Sequence, residues 1–62
     1  MYELLDLAEH YLPGCTITPD NDPNYILAHH RLLDKPLQVS VGLFFDEPTY
    51  YQERLYGQLR RH

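Results

Sequence analysis

A chain of 62 residues with nine acidic against five basic side chains, a net charge of −4 and one cysteine has room for a single domain, residues 1–62, and none for an intrachain disulfide. The acid excess disfavours direct DNA or RNA binding, whose affinity comes largely from neutralising phosphates, and no apolar run is long enough to span a bilayer. A domain this small buries only about 60% of its unfolded surface, so without a disulfide it is expected to lean on a metal or a partner. The lone Cys15 and the acidic N-terminus "MYELLDLAEHYL", where a secretion signal would be basic, point to the cytoplasm.

The first element is a helix. Met1, Leu4, Leu5, Ala8, Tyr11 and Leu12 recur at three- and four-residue spacing and share a face. Glu3 and Asp6 suit the positive end of its dipole, and Pro13-Gly14 stop it. "CTIT", Cys15 to Thr18, is rich in β-branched residues, bounded by breakers, and reads as a short strand. "PDNDPN" is turn material, because Asp and Asn fold back onto nearby amides and proline blocks a ladder.

Two readings compete for "YILAHHRLL". Asp22 with Pro23 can cap a helix over residues 23–34, whereas the alternation of Ile26, Ala28, His30 and Leu32 with Tyr25, Leu27, His29 and Arg31 predicts a strand. "PLQVSVGLFF" follows as the firmest strand, with Leu37, Val39, Val41, Leu43 and Phe45 on one face, and "DKP" joins the two runs as a hairpin. The strand reading is preferred. The last element is a helix: Asp46 or Glu47 caps it, Pro48 sits in its first turn, and Arg60, Arg61 and His62 close it. Tyr51, Leu55 and Leu59 form its apolar stripe, widened by Tyr56. The expected fold is α+β, a two-layer α-β-β-β-α arrangement with both helices on one face of a three-stranded antiparallel sheet.

Little in the chain resembles chemistry. Asp20, Asp22 and Asn24 have the alternate spacing of a calcium loop, but Tyr25 stands where the bend needs glycine and Arg31 where a bidentate Glu is required. His29 and His30 are adjacent, so their side chains diverge in either a strand or a helix. A tertiary metal- or thiol-dependent site from His10, Cys15 and His30 is the runner-up function. It lacks the paired-ligand spacing of zinc sites, and a reactive thiol would need an imidazole within reach. No metal, no cofactor and no enzymatic activity is expected.

The final helix carries the sharper signal. Tyr50, Arg54, Gly57 and Arg61 share a face away from the core, at spacings of four, three and four. Tyr and Arg are the side chains most enriched at binding hot spots, and a glycine inside a helix costs about 1 kcal/mol against alanine unless something approaches closely. A second, acidic surface is expected from Glu3, Asp6 and His10 on the first helix with Asp20 and Asp22 in the loop. The exposed sheet edges and small core predict a homodimer.

These features lead to a non-enzymatic protein–protein interaction module, a small cytoplasmic adaptor or inhibitor that binds a larger protein. Compact acidic domains suit the blocking of a basic surface on nucleic-acid machinery, as phage or mobile-element inhibitors do. A nucleic-acid contact through Arg54, Arg60 and Arg61 is the less favoured third class, and it predicts steep salt dependence.

Overall fold

The computed structural model describes residues 3–61; the expected roles of Met1 in the first helix and His62 at the end of the last lie outside them. The elements run α1 (Leu4–Tyr11), β1 (Cys15–Pro19), β2 (Tyr25–His30), β3 (Leu37–Ser40), α2 (Val41–Asp46) and α3 (Pro48–Arg61). The three strands form one antiparallel sheet in the order β1-β2-β3. The α+β class and the antiparallel sheet therefore stand, with one more helix than the α-β-β-β-α order contains.

The register explains which side of the sheet is covered. Ile17 lies opposite Ala28, which lies opposite Leu37, while Ile26 lies opposite Val39. Because side chains alternate along a strand, these share a face, and Ile26, Ala28, Leu37 and Val39 are buried in one cluster with Ala8, Leu12, Phe44, Tyr51 and Leu55. All three helices thus contribute to the core on that face. Thr16, His29 and Gln38, on the alternate positions, are exposed.

α1 ends as its breakers predict: Leu12 is the C-cap, its N–H returning to the Ala8 carbonyl, and Gly14 exits at φ +80°. Glycine takes that φ without strain, and an added Cβ would sit 3.3 Å from His30 Nε2. The expected apolar stripe of α1 needs one correction. Leu5 is 56% exposed, and its place is taken by Leu7, which packs on the core with Leu4 and Tyr11. Positions 4, 7, 8, 11 and 12 are the tighter fit to a period of 3.6 residues.

The helical alternative for residues 23–34 is overturned. Tyr25–His30 is a strand, and Asp22-Pro23 belongs to the turn before it. There the Asp22 carboxylate accepts from Asn24 N–H at 2.9 Å and the Asp22 carbonyl accepts from Tyr25 N–H at 3.1 Å. Leu32, expected on the inner face of a longer strand, falls in the following turn and is exposed.

The larger correction concerns "PLQVSVGLFF". The strand stops at Ser40 and the chain turns directly into α2. Its neighbour β2 begins at Tyr25, the partner of Ser40, and a single further bond runs from Val41 N–H to the Asn24 carbonyl at 2.9 Å. Beyond that point lies the proline-bearing turn, which offers no ladder. A buried backbone without partners is costly, and a helix satisfies its own. Ser40 is the N-cap, its hydroxyl accepting from Leu43 N–H. The helical turn reverses the expected facing: Phe44 becomes fully buried, while Leu43 and Phe45 are exposed. Phe44 meets Tyr11 edge-on at 6.4 Å between ring centroids and Tyr51 at 6.1 Å.

In α3 the core stripe is narrower than expected, since Tyr51 and Leu55 are buried and Leu59 packs against them, but Tyr56 is exposed.

Candidate functional site

α3 holds Tyr50, Arg54, Gly57 and Arg61 on one flank, as their spacing requires. With Glu53 and Gln58 they line a shallow groove of about 350 Å³. Tyr50 stands edge-on against the buried Tyr51 ring, centroids 4.9 Å apart, so the core holds the base of an aromatic side chain that is itself 41% exposed. Arg54 Nη1 donates to Tyr50 Oη at 3.3 Å, and the guanidinium carbon lies 5.8 Å from the ring centroid. Arg54 is therefore held beside the ring, a pairing worth about 0.5–1 kcal/mol at an exposed site.

Gly57, like Gly42 in α2, is a glycine inside a helix. It lies within α3 rather than at a frayed end, because the helix continues to Arg61. A Cβ there would meet nothing within 4 Å. The fold thus makes no use of the missing side chain, and the cost of glycine in a helix is not repaid inside the chain.

Glu3 and Asp6 are exposed on α1, and Asp6, Leu7, His10 and Tyr11 line a second shallow cavity of about 360 Å³. Asp20 and Asp22, expected to extend this acidic surface, lie in the β1–β2 loop, Asp20 half-buried and Asp22 exposed, but are engaged locally. Asp20 accepts from Asn21 N–H at 2.8 Å and from the Gln38 amide at 2.9 Å. Their oxygens brace the turn.

The histidines separate as neighbours in a strand must. His29 is exposed on the open face, its Nε2 2.8 Å from Thr18 Oγ1. His30 is half-buried, and its Nδ1 accepts from Leu32 N–H at 3.1 Å, which places the proton of the neutral ring on Nε2. His30 lies opposite Cys15 in the register, but burial pushes the Cys15 thiol above its ordinary value of 9.0, away from the thiolate that nucleophilic or metal-binding chemistry needs. Among the described residues no three His, Cys, Asp or Glu side chains gather into a metal-holding group, so His10, Cys15 and His30 are not brought together as one.

The thiol makes a pH prediction. A group whose pKa is raised by folding contributes no penalty while protonated, and costs stability as pH climbs through its folded value. Chemical denaturation of the native chain should therefore show stability declining above about pH 9, and Cys15→Ala should lose less over the same window. Since the tyrosines also titrate there, the difference between the two proteins is the measured quantity; identical slopes would refute the burial of the thiol.

No helix among the described residues is long and apolar enough to cross a membrane. Compared with known proteins, the chain matches no family model, no curated protein and no solved structure. What it does must be read from its own surface.

The α3 flank was visible from spacing alone. Its groove and the pairing of Arg54 with Tyr50 needed the fold, because only the burial of Tyr51 decides where Tyr50 stands.

Proposed function

We propose that this chain is a non-enzymatic protein–protein interaction module, a small adaptor or inhibitor that docks a larger protein through the flank of α3 carrying Tyr50, Arg54, Gly57 and Arg61. The observation that carries this reading is Gly57, a mid-helix glycine with open space around it, set in a groove between a core-braced tyrosine and two arginines. The missing side chain lets another chain approach the helix closely, while Tyr50 supplies rigid apolar area and Arg54 and Arg61 supply forked donors for carboxylates. The finer version is a cytoplasmic inhibitor, of the phage or mobile-element kind, that covers a basic surface on nucleic-acid machinery with the acidic side of α1 beside that flank. It is supported by the net charge of −4 and by the exposed Glu3 and Asp6.

The test is affinity capture from the native host with the wild-type chain beside Tyr50→Ala/Arg54→Ala. Both substituted side chains are exposed, so far-UV circular dichroism should be unchanged. Loss of two hot-spot side chains weakens binding by about 2 kcal/mol or more, roughly 30-fold, and the partner retained by the wild type should be missing from the double variant. Equal recovery would remove the α3 flank as the docking face.

A further inference from the structure

The chain carries two exposed surfaces of opposite charge. The flank of α3 bears Arg54 and Arg61, with Arg60 beside them, all exposed. Glu53 also lines the groove, yet the flank stays net positive. α1, which packs directly against α3, has Glu3, Asp6 and Glu9 exposed on its outer side. The spans match as well. Arg54 to Arg61 covers about 10 Å along a helix, and Glu3 to Glu9 about 9 Å, at 1.5 Å per residue.

We propose that a second copy of this chain occupies the α3 groove, with α1 of each copy lying along the Tyr50–Arg61 flank of the other. This rests on the reading of α3 as a docking face and names the occupant. Three features select a second copy. A two-fold relation that sets one α1 on the partner's α3 necessarily makes the converse contact, so every carboxylate–guanidinium pairing is formed twice. Gly57, where an added Cβ would meet nothing within 4 Å, removes the side chain that would hold an incoming helix away. A domain this small, with no disulfide, gains the buried surface it lacks. Self-association and docking of a different protein then use the same flank and exclude one another.

Sedimentation equilibrium at low micromolar concentration tests this on the full chain, with two charge-reversed variants: Arg54→Glu/Arg61→Glu and Asp6→Arg/Glu9→Arg. All four positions are exposed, and circular dichroism checks the fold. The wild type should sediment at twice the 7.4 kDa chain mass. Each variant alone faces like with like and should dissociate at least about tenfold more readily. An equimolar mixture of the two restores opposite charges at both contacts and should recover the dimer. For the wild type, raising salt from about 50 to about 500 mM should weaken the dimer several-fold. A wild type that is monomeric, a dimer indifferent to salt, or variants that dimerise alone but fail to pair would overturn the proposal. Because the capture experiment with Tyr50→Ala/Arg54→Ala scores a different protein, a monomeric wild type that still loses its partner on that substitution would leave the docking face standing and remove only the second copy.

Discussion

Replacing Phe44 by alanine should cost about 3–5 kcal/mol, while the same change at Phe45 should cost under about 1 kcal/mol. Phe44 is fully buried between Tyr11 and Tyr51, and its neighbour is 47% exposed. A domain of this length is expected to hold about 3–9 kcal/mol in total, so Phe44→Ala should remove from about a third to all of its stability. Urea denaturation of the two variants decides the matter. A strand continuing through Phe45 predicts the opposite ranking, because it would turn Phe45 inward and Phe44 out. Equal losses would mean that α2 is not the packed helix described above.

Tyr51 should show two separable effects. Its ring is buried against Phe44, and its hydroxyl accepts the Ser40 N–H at 3.1 Å, at the junction where β3 becomes α2. Tyr51→Ala removes ring and hydroxyl together and should cost about 3–5 kcal/mol. Tyr51→Phe keeps the ring but leaves a part-buried N–H without its partner, a loss of about 1–3 kcal/mol. Denaturation midpoints measure both. If Tyr51→Phe matches the wild type, the hydroxyl does not hold the junction. Hydrogen exchange at the Ser40 amide gives a local reading of the same bond, which should exchange faster in Tyr51→Phe than in the native chain.

These two residues also mark where sequence reasoning stopped short. α1, the turn at Asp20–Asn24 and the core stripe of α3 follow from local signals: apolar spacing, Pro-Gly, and Asx turns. The β2 strand was legible too, because Ile26 and Ala28 alternate with their neighbours and the strand alternation outweighed the Asp22-Pro23 capping signal. "VGLFF" has the composition of a strand and alternates like one. It becomes a helix for a non-local reason, since β2 begins at Tyr25 and offers residues beyond Ser40 nothing to pair with. A pattern read along one segment cannot register that its neighbour has run out.

The α3 flank proposed for docking was legible for the converse reason. Tyr50, Arg54, Gly57 and Arg61 lie on one helix, where spacing alone sets the face. The acidic surface was only half legible. Glu3 and Asp6 share α1, but Asp20 and Asp22 spend their oxygens on the turn. The pairing of Cys15 with His30 is a matter of strand register, invisible to spacing, and burial rather than activation sets the character of that thiol.

The most direct measurement of whether α3 carries the docking face is site-specific photo-crosslinking in the native host. A benzophenone side chain is placed at Tyr50, at Arg61, or at Thr16 on the open face of the sheet, all three of them exposed. Crosslinks to a second protein, or to another copy of the chain, are expected from positions 50 and 61 and not from 16. Crosslinks from position 16 alone would show that the chain meets its partner through the sheet and that the groove on α3 is not the site.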